Sequence, residues 1–521
     1  CKQIGSVGES RPREEHGKPI GSEDCLYLNI FAPKFANGKV PAGDDRLPVM
    51  VYIHGGGNVA GYANQFKYSG RNLAKNHDVI VVNFNYRLGL FGWLSHPSLN
   101  HDGSLEDKSG NFGILDSVAA LEWVQNNIEA FGGDPTNVTL FGESAGGINI
   151  FAILASQQGE GLFHKAIIQS GLPISTPMDK ATNYIEDSGH LNSGREITNQ
   201  LLIADATAAS RKEAISHQNQ MSDAEISRYL LGKSANEVLM LLGTDGMPSM
   251  PMIFRDGTVV PREDLMEVFS DAANYNAVPI IIGTNRDEFK PFFAGDSSLV
   301  ELQMGFLPKI INEAYFHAVT SYFNDAWKAR GVDEVSMRLA KSQADPVFAY
   351  RFDWDELPTI LGVDLSKLIG AVHASEIPFV FESFDDRLMN WVLFSDENIP
   401  SRTELSRKMS SYWAEFAYNS SPGRGRDGTQ TEWMPWDEKP NQGKFVILDS
   451  ERDRGIRMNN EAVTFSVLKR RLLQDTAFPN TAAKGKIYDC LFRDSKYWDE
   501  EEFVSLGGKT CEIPIFQFLR L

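Results

Sequence analysis

The chain has 521 residues and a formal net charge of −19 at pH 7, a balance that argues against nucleic acid and against anionic membrane surfaces as partners. An apolar share of 42% beside a charged share of 23% is ordinary for a globular protein with a sizeable core. No run of about 18 apolar residues occurs, so no membrane span is expected.

The first 25 residues are polar and punctuated by Gly and Pro, with no helical apolar stripe. Cys25–Phe31 then alternates as a strand, and Leu47–Ile53 is apolar almost throughout, which predicts a strand buried on both faces. His54-Gly55-Gly56-Gly57 follows directly. Consecutive glycines after a buried strand leave backbone N–H groups free to point into a site, as an oxyanion hole requires. Asp78–Asn85 is the next apolar strand; Ile114, Val118, Leu121, Val124 and Ile128 carry helical spacing over Phe112–Ile128. Gly132-Gly133-Asp134-Pro135 ends that helix and turns the chain into the strand Val138–Phe141.

Gly142-Glu143-Ser144-Ala145-Gly146 sits between this strand and a helix predicted over Ala145–Ser156. A serine with glycine two positions to either side, between strand and helix, has the form of a nucleophile elbow. The helix below it aims free N–H groups at charge developing on a substrate. Ala166–Gln169 gives a further strand, and the alternation of strands and helices implies right-handed crossovers and a mostly parallel sheet. Ile174–Pro251 reads as a helical cap with pieces at Arg195–Ile203, Asp223–Leu231 and Ala235–Leu242; the methionines of Gly246–Met252 suit a core or a pocket wall. Strands are expected at Pro279–Gly283, Phe348–Trp354 and Phe445–Leu448, and a helix at Leu405–Tyr418. No HExxH, CxxC or phosphate-loop pattern is present, so neither a metal nor a cofactor is implied.

On these residues the chain resembles the type-B carboxylesterases of the α/β-hydrolase superfamily, the group of carboxylesterases, cholinesterases and larger fungal lipases. The similarity rests on Ser22–Asn29, His54–Gly57, Asn85-Tyr86-Arg87, Gly110–Gly113, Phe131–Pro135, Phe141–Gly147 and Gln169-Ser170-Gly171, and continues more thinly to about Asp449. It implies Ser144 as nucleophile, Glu288 as the acid with Asp287 as rival, and His373 as the base. It further implies Gly56, Gly57 and Ala145 as oxyanion donors, with Glu143 and Ser170 beside the triad and Arg87–Asp116 as a buried structural ion pair. Elimination among the ten histidines also favours His373: His16, His96 and His101 fall in polar loops before the nucleophile, and His54 is held in the glycine turn. Two positions depart from the family, Phe289 and Ala374, each standing where glycine is usual.

The resemblance implies an α/β-hydrolase fold, with a large, mostly parallel sheet and a cap over about 174–251. The family's N-terminal hairpin lacks a counterpart in this sequence, and the start at Cys1 reads as a processed or truncated product. The expected division is a catalytic domain over 1–470 and an extension over 471–521. Four cysteines allow three pairings; proximity favours Cys1–Cys25 and Cys490–Cys511, and disulfides would imply a secreted or otherwise oxidising location. The expected activity is hydrolysis of short, medium or soluble carboxylic esters through an acyl-enzyme. The Cys1–Cys25 loop lacks the tryptophan of cholinesterases and the apolar face of a lipase lid. The alternatives are an inactive adhesion relative, or a lipase or sterol esterase of the same fold.

Overall fold

The computed structural model describes residues 1–5, 13–35, 38–99, 103–243, 250–384, 393–437, 439 and 443–511. Two compact units make up the chain, one of Cys1–Ile168 and Pro173–Val278, the other of Gln169–Leu172 and Pro279–Leu521.

In the first unit β1 (Leu28–Phe31), β2 (Leu47–Ile53), β3 (Ile80–Phe84), β4 (Gly133–Glu143) and β5 (Lys165–Gln169, whose last residue counts with the second unit) lie in the order β5-β4-β2-β3-β1. β2 runs parallel to β3 and β4, and β1 closes the edge antiparallel. Every residue of β3 and all but the first of β2 are buried, which is why both read as unbroken apolar runs. β4 is longer than its apolar stretch predicts, because Gly133 pairs with Leu47 before a register irregularity brings Val138 opposite Val49. β1 starts three residues later than expected: Leu26 and Tyr27 are exposed, and Cys25 is held instead by its disulfide to Cys1. α1 (Phe112–Asn127) buries Ile114, Val118, Leu121 and Val124, and α2 (Ala145–Ala155) is buried along nearly its whole length.

Among the helices that follow are α3 (Gly194–Ala204), α4 (Arg211–Gln218), α5 (Asp223–Leu231) and α6 (Ala235–Met240). Each starts at a serine whose hydroxyl accepts from the N–H of a glutamate three residues on, namely Ser193–Glu196, Ser210–Glu213, Ser222–Glu225 and Ser234–Glu237. In α5 and α6 the glutamate side chain also caps the serine N–H. α4 has few apolar residues and escapes a periodicity reading; its cap specifies it. Positions 244–249 of the methionine-rich stretch, His101 and part of the Cys1–Cys25 loop lie outside the described residues.

The second unit carries β6 (Ile280–Asn285), β7 (Val347–Phe352), β8 (Phe445–Leu448) and β9 (Arg457–Asn459) in the order β9-β8-β7-β6. β7 is parallel to β6 and β8, while β9 is antiparallel to β8. Its principal helices are α7 (Glu313–Lys328), α8 (Ile399–Asn419), α9 (Phe465–Gln474) and α10 (Thr481–Phe492). α8 begins earlier than its apolar pattern suggests, with Pro400 in its first turn where a missing N–H costs nothing. Cys490 on α10 is bonded to Cys511. Among the described residues no helix is long and apolar enough to cross a membrane.

Past the ends of β7 and β8 stand two buried carboxylates, Asp353 and Asp449. Arg351 donates to Asp353 at 2.6 Å, whereas the nearest Arg457 nitrogen is 3.6 Å from Asp449. Burial first, and then the charge of Asp353, pushes Asp449 up to about 7. A carboxyl whose pKa is raised on folding stabilises fully at pH values below its unfolded pKa, and that stability is lost as pH rises through the folded one. Asp449→Asn keeps the shape and removes the charge. Its stability relative to the parent should rise between about pH 4 and 7, by up to about 1.4 kcal/mol per pH unit, and level off above that. Urea unfolding of both proteins across that window measures this; a pH-independent difference would contradict it.

Candidate active site

The elbow is built by crowding. A Cβ on Gly146 would lie 2.0 Å from the carbonyl oxygen of Ile53, and one on Gly142 would lie 2.8 Å from the same atom. Both positions therefore require glycine where the end of β2 passes under the turn. The chain reverses through Ser144, which adopts φ 57° and ψ −120° between β4 and α2. That left-handed backbone is strained for a residue with a side chain, and such strain collects at functional positions.

The glycine turn after β2 lies against this serine. A Cβ on Gly55 would meet Glu143 Oε2 at 2.7 Å and Ser144 Cβ at 3.1 Å. Gly56 and Gly57 have φ of 112° and 61°, and the Gly56 carbonyl accepts from Val59 and Ala60 to close the turn. Asn58 and Asn149, one in the turn and one on α2, exchange side-chain hydrogen bonds at 3.0 and 2.9 Å. This pairing fixes the turn to the helix that begins at Ala145. His54 gives its Nδ1 proton to Gly55 O at 2.8 Å, stacks on Tyr86, and is pushed down to about 4 by burial. It stays neutral and serves the turn rather than proton transfer.

A second constellation stands in the other unit. Glu288 Oε2 is 2.5 Å from His373 Nδ1, and Glu288 Oε1 accepts from Ser170 Oγ at 2.7 Å, Thr284 Oγ1 at 2.6 Å and Asn285 N at 2.7 Å. Burial alone would raise this carboxyl; the histidine and the three donors outweigh it, so Glu288 is held below the usual carboxylate range. His373 keeps 28% of its side chain exposed, with the ring edge-on to Trp327 and Trp327 edge-on to Phe289. Phe289 thus packs the wall behind the imidazole where the family has glycine. Ala374 adopts φ 67°, the left-handed backbone that explains the family's glycine there.

Sequence reasoning missed several supports. Thr284 and Asn285, expected just beyond a strand, are the last residues of β6. Glu376 is fully buried, one oxygen accepting from Gln169 at 3.0 Å and the other from Asn285 at 2.6 Å. Burial and the neighbouring Glu288 push its pKa up, the opposite direction from that of Glu288. His96 lies in a loop, as expected, but is buried there, with Nε2 3.1 Å from Gln218 Oε1 on α4. Arg87 and Asp116 do pair, at 2.7 Å, but the arginine side is 38% exposed rather than buried.

Asp287 faces another task. Its carboxylate accepts from Ala371 N at 3.0 Å and pairs with Lys290 at 2.9 Å, both ion-pair partners being buried, and with Arg286. It ties the loop that leads to His373 back to the turn after β6. Asp287→Asn leaves Lys290 buried without its counter-charge and should destabilise by about 3 kcal/mol, the scale for breaking a buried pair. Urea unfolding reads this directly, and a loss below about 0.5 kcal/mol, the range of a surface substitution, would contradict it.

The model of the carboxylesterase family matches residues 1–305 and 307–466. Para-nitrobenzyl esterase of Bacillus subtilis (strain 168) is 33% identical over 452 residues, covering 83% of this chain and 80% of that protein. Fumonisin B1 esterase of Sphingopyxis macrogoltabida is 31% identical over 469 residues, with 86% and 77% covered. Among solved structures, a PNB esterase aligns with a TM-score of 0.58 at 30% identity over 85% of this chain and 84% of its own. The Geobacillus stearothermophilus carboxylesterase EST55 aligns with a TM-score of 0.59 at 28% identity, with 86% and 85% covered. An elbow serine on a strained turn, a paired histidine and glutamate, and these likenesses converge: the chain belongs to the carboxylesterase family, has its α/β-hydrolase fold, and is a carboxylic ester hydrolase.

Proposed function

We propose that the enzyme hydrolyses esters through an acyl-enzyme on Ser144, with His373 as general base and Glu288 as the acid of the triad. The observation that carries this reading is the 2.5 Å contact between Glu288 and His373 Nδ1, which leaves Nε2 as the nitrogen for proton transfer. A serine hydroxyl is too weakly acidic to attack alone, so Nε2 takes its proton as Oγ adds to the ester carbonyl. Glu288 stays ionised and stabilises the imidazolium formed at that moment. The tetrahedral oxyanion is received by the N–H groups of Gly56, Gly57 and Ala145. Collapse expels the alcohol, which leaves with the proton from His373, and water repeats the sequence on the acyl group. Glu143 supports the turn at Gly55, and Ser170 supports Glu288.

The preferred substrates are short or medium, soluble esters, a reading supported by the charged sequence of the Cys1–Cys25 loop. The two disulfides support an oxidising, secreted location. Residues 1–470 form the catalytic domain and 471–521 an extension stapled by Cys490–Cys511.

One preparation tests the proposal. An organophosphate should leave a single adduct, mapped to Ser144 by peptide mass, and Ser144→Ala should lose both the label and several orders of magnitude of turnover. The parent should favour short and medium chains in a p-nitrophenyl ester series, without a rate jump past the solubility limit. A Ser144 left unlabelled in inhibited enzyme overturns the nucleophile; strong interfacial activation overturns the substrate class.

A further inference from the structure

The glycine turn is anchored on its far side as well as to α2. Gln3 is 1% exposed and pairs with the backbone of Gly61 in both directions: its Nε2 donates to Gly61 O at 3.0 Å, and its Oε1 accepts from Gly61 N at 2.9 Å. The same Nε2 reaches Cys1 O at 3.3 Å. Gly61 closes the turn, with φ 112° and a Cβ position only 2.6 Å from His54 Nδ1 and 2.7 Å from Gly55 O. Two residues further on, Asn85 makes a matching tie: its Oδ1 accepts from Ala63 N at 2.8 Å and its Nδ2 donates to Cys25 O at 2.9 Å. Cys1 and Cys25 are bonded to each other. Each half-cystine thus offers its carbonyl to a carboxamide that grips the segment 61–63.

A carboxamide donates and accepts in one plane with fixed spacing without titrating, so Asn or Gln suits both positions where packing alone would accept many side chains. The residues gripped end the turn whose start, Gly56 and Gly57, presents the proposed donors. Oxyanion donors act only at the right distance, and a misplacement of about 1 Å is enough to cost on the order of a hundredfold in rate.

We infer that Gln3, with Asn85, is a positioning residue for ester hydrolysis: the two side chains transmit the rigidity of the Cys1–Cys25 disulfide to the oxyanion turn. This rests on the proposed roles of Gly56 and Gly57.

Gln3→Met keeps length and bulk and deletes both hydrogen bonds to Gly61. Rates are taken per active site titrated with organophosphate, so unfolded protein does not count. We expect kcat and kcat/KM to fall together by about 10- to 100-fold, with KM and the pH–rate profile unchanged. Affinity for a trifluoromethyl ketone, which forms a tetrahedral adduct, should fall by a similar factor, while that of the matching methyl ketone is unaltered. A purely structural glutamine would lower the melting temperature and leave the kinetic constants and ketone preference within about twofold; that result overturns the inference. A parent enzyme with no preference for the trifluoromethyl ketone overturns the oxyanion reading itself, and is seen before any variant is made. If Gln3→Met does not accumulate as folded protein, Asn85→Ala removes the second tie, and unchanged constants there overturn the inference equally.

Discussion

The carbonyl oxygen of Ile53, at the end of β2, comes so close to the elbow that neither residue 142 nor residue 146 can carry a side chain. From that contact the rest of the first unit's chemistry descends. Two glycines let β4 and α2 meet at a single sharp residue, and the residue at the apex, Ser144, takes a left-handed backbone. Beside it, at the end of β2, is the glycine turn, close enough that Gly55 too is barred from carrying a Cβ by Glu143 and Ser144. The strain at one residue is small against the buried sheet around it, where β3, nearly all of β2 and the Val138–Glu143 half of β4 are buried.

The second unit solves a different problem, that of keeping one carboxylate charged where burial disfavours charge. Glu288 succeeds because four groups donate to it, counting His373; each is worth more in a dry site than in water. Glu376 accepts from the side-chain amides of Gln169 and Asn285, but burial and the charge of Glu288 beside it outweigh them, and its pKa moves the other way. Asp287, adjacent in sequence to Glu288, is turned toward Lys290 and the backbone of Ala371 instead. Two consecutive carboxylates so divide the work of charge and anchorage.

What the sequence made legible follows from how local each signal is. The strands β2 and β3 declare themselves because burial on both faces demands unbroken apolar runs, and the elbow declares itself because only glycine tolerates the Ile53 carbonyl. α4 stayed hidden because its stability is specified by the Ser210 cap and by Gln218 binding His96, not by an apolar stripe. The partnership of Gln3 with Gly61 spans 58 residues, that of Asn285 with Glu376 spans 91, and that of Gln169 with Trp413 spans 244. No local pattern announces such pairs; they exist only once the chain has folded. Phe289 and Ala374 could be seen as departures, but their meaning, a wall behind the imidazole and a left-handed backbone, needed the fold.

The central claim is that Glu288 acts on chemistry through His373, and the most direct measurement is the kcat/KM of Glu288→Gln from about pH 5 to 9, the range in which a histidine titrates. An amide keeps the shape but cannot hold the imidazole tautomer and stabilise the imidazolium as a carboxylate does. The account predicts a folded protein whose kcat falls by about 10⁴-fold, with an altered pH profile and slow residual labelling of Ser144. A folded Glu288→Gln enzyme within about tenfold of the parent, with the parent's pH profile, would contradict it.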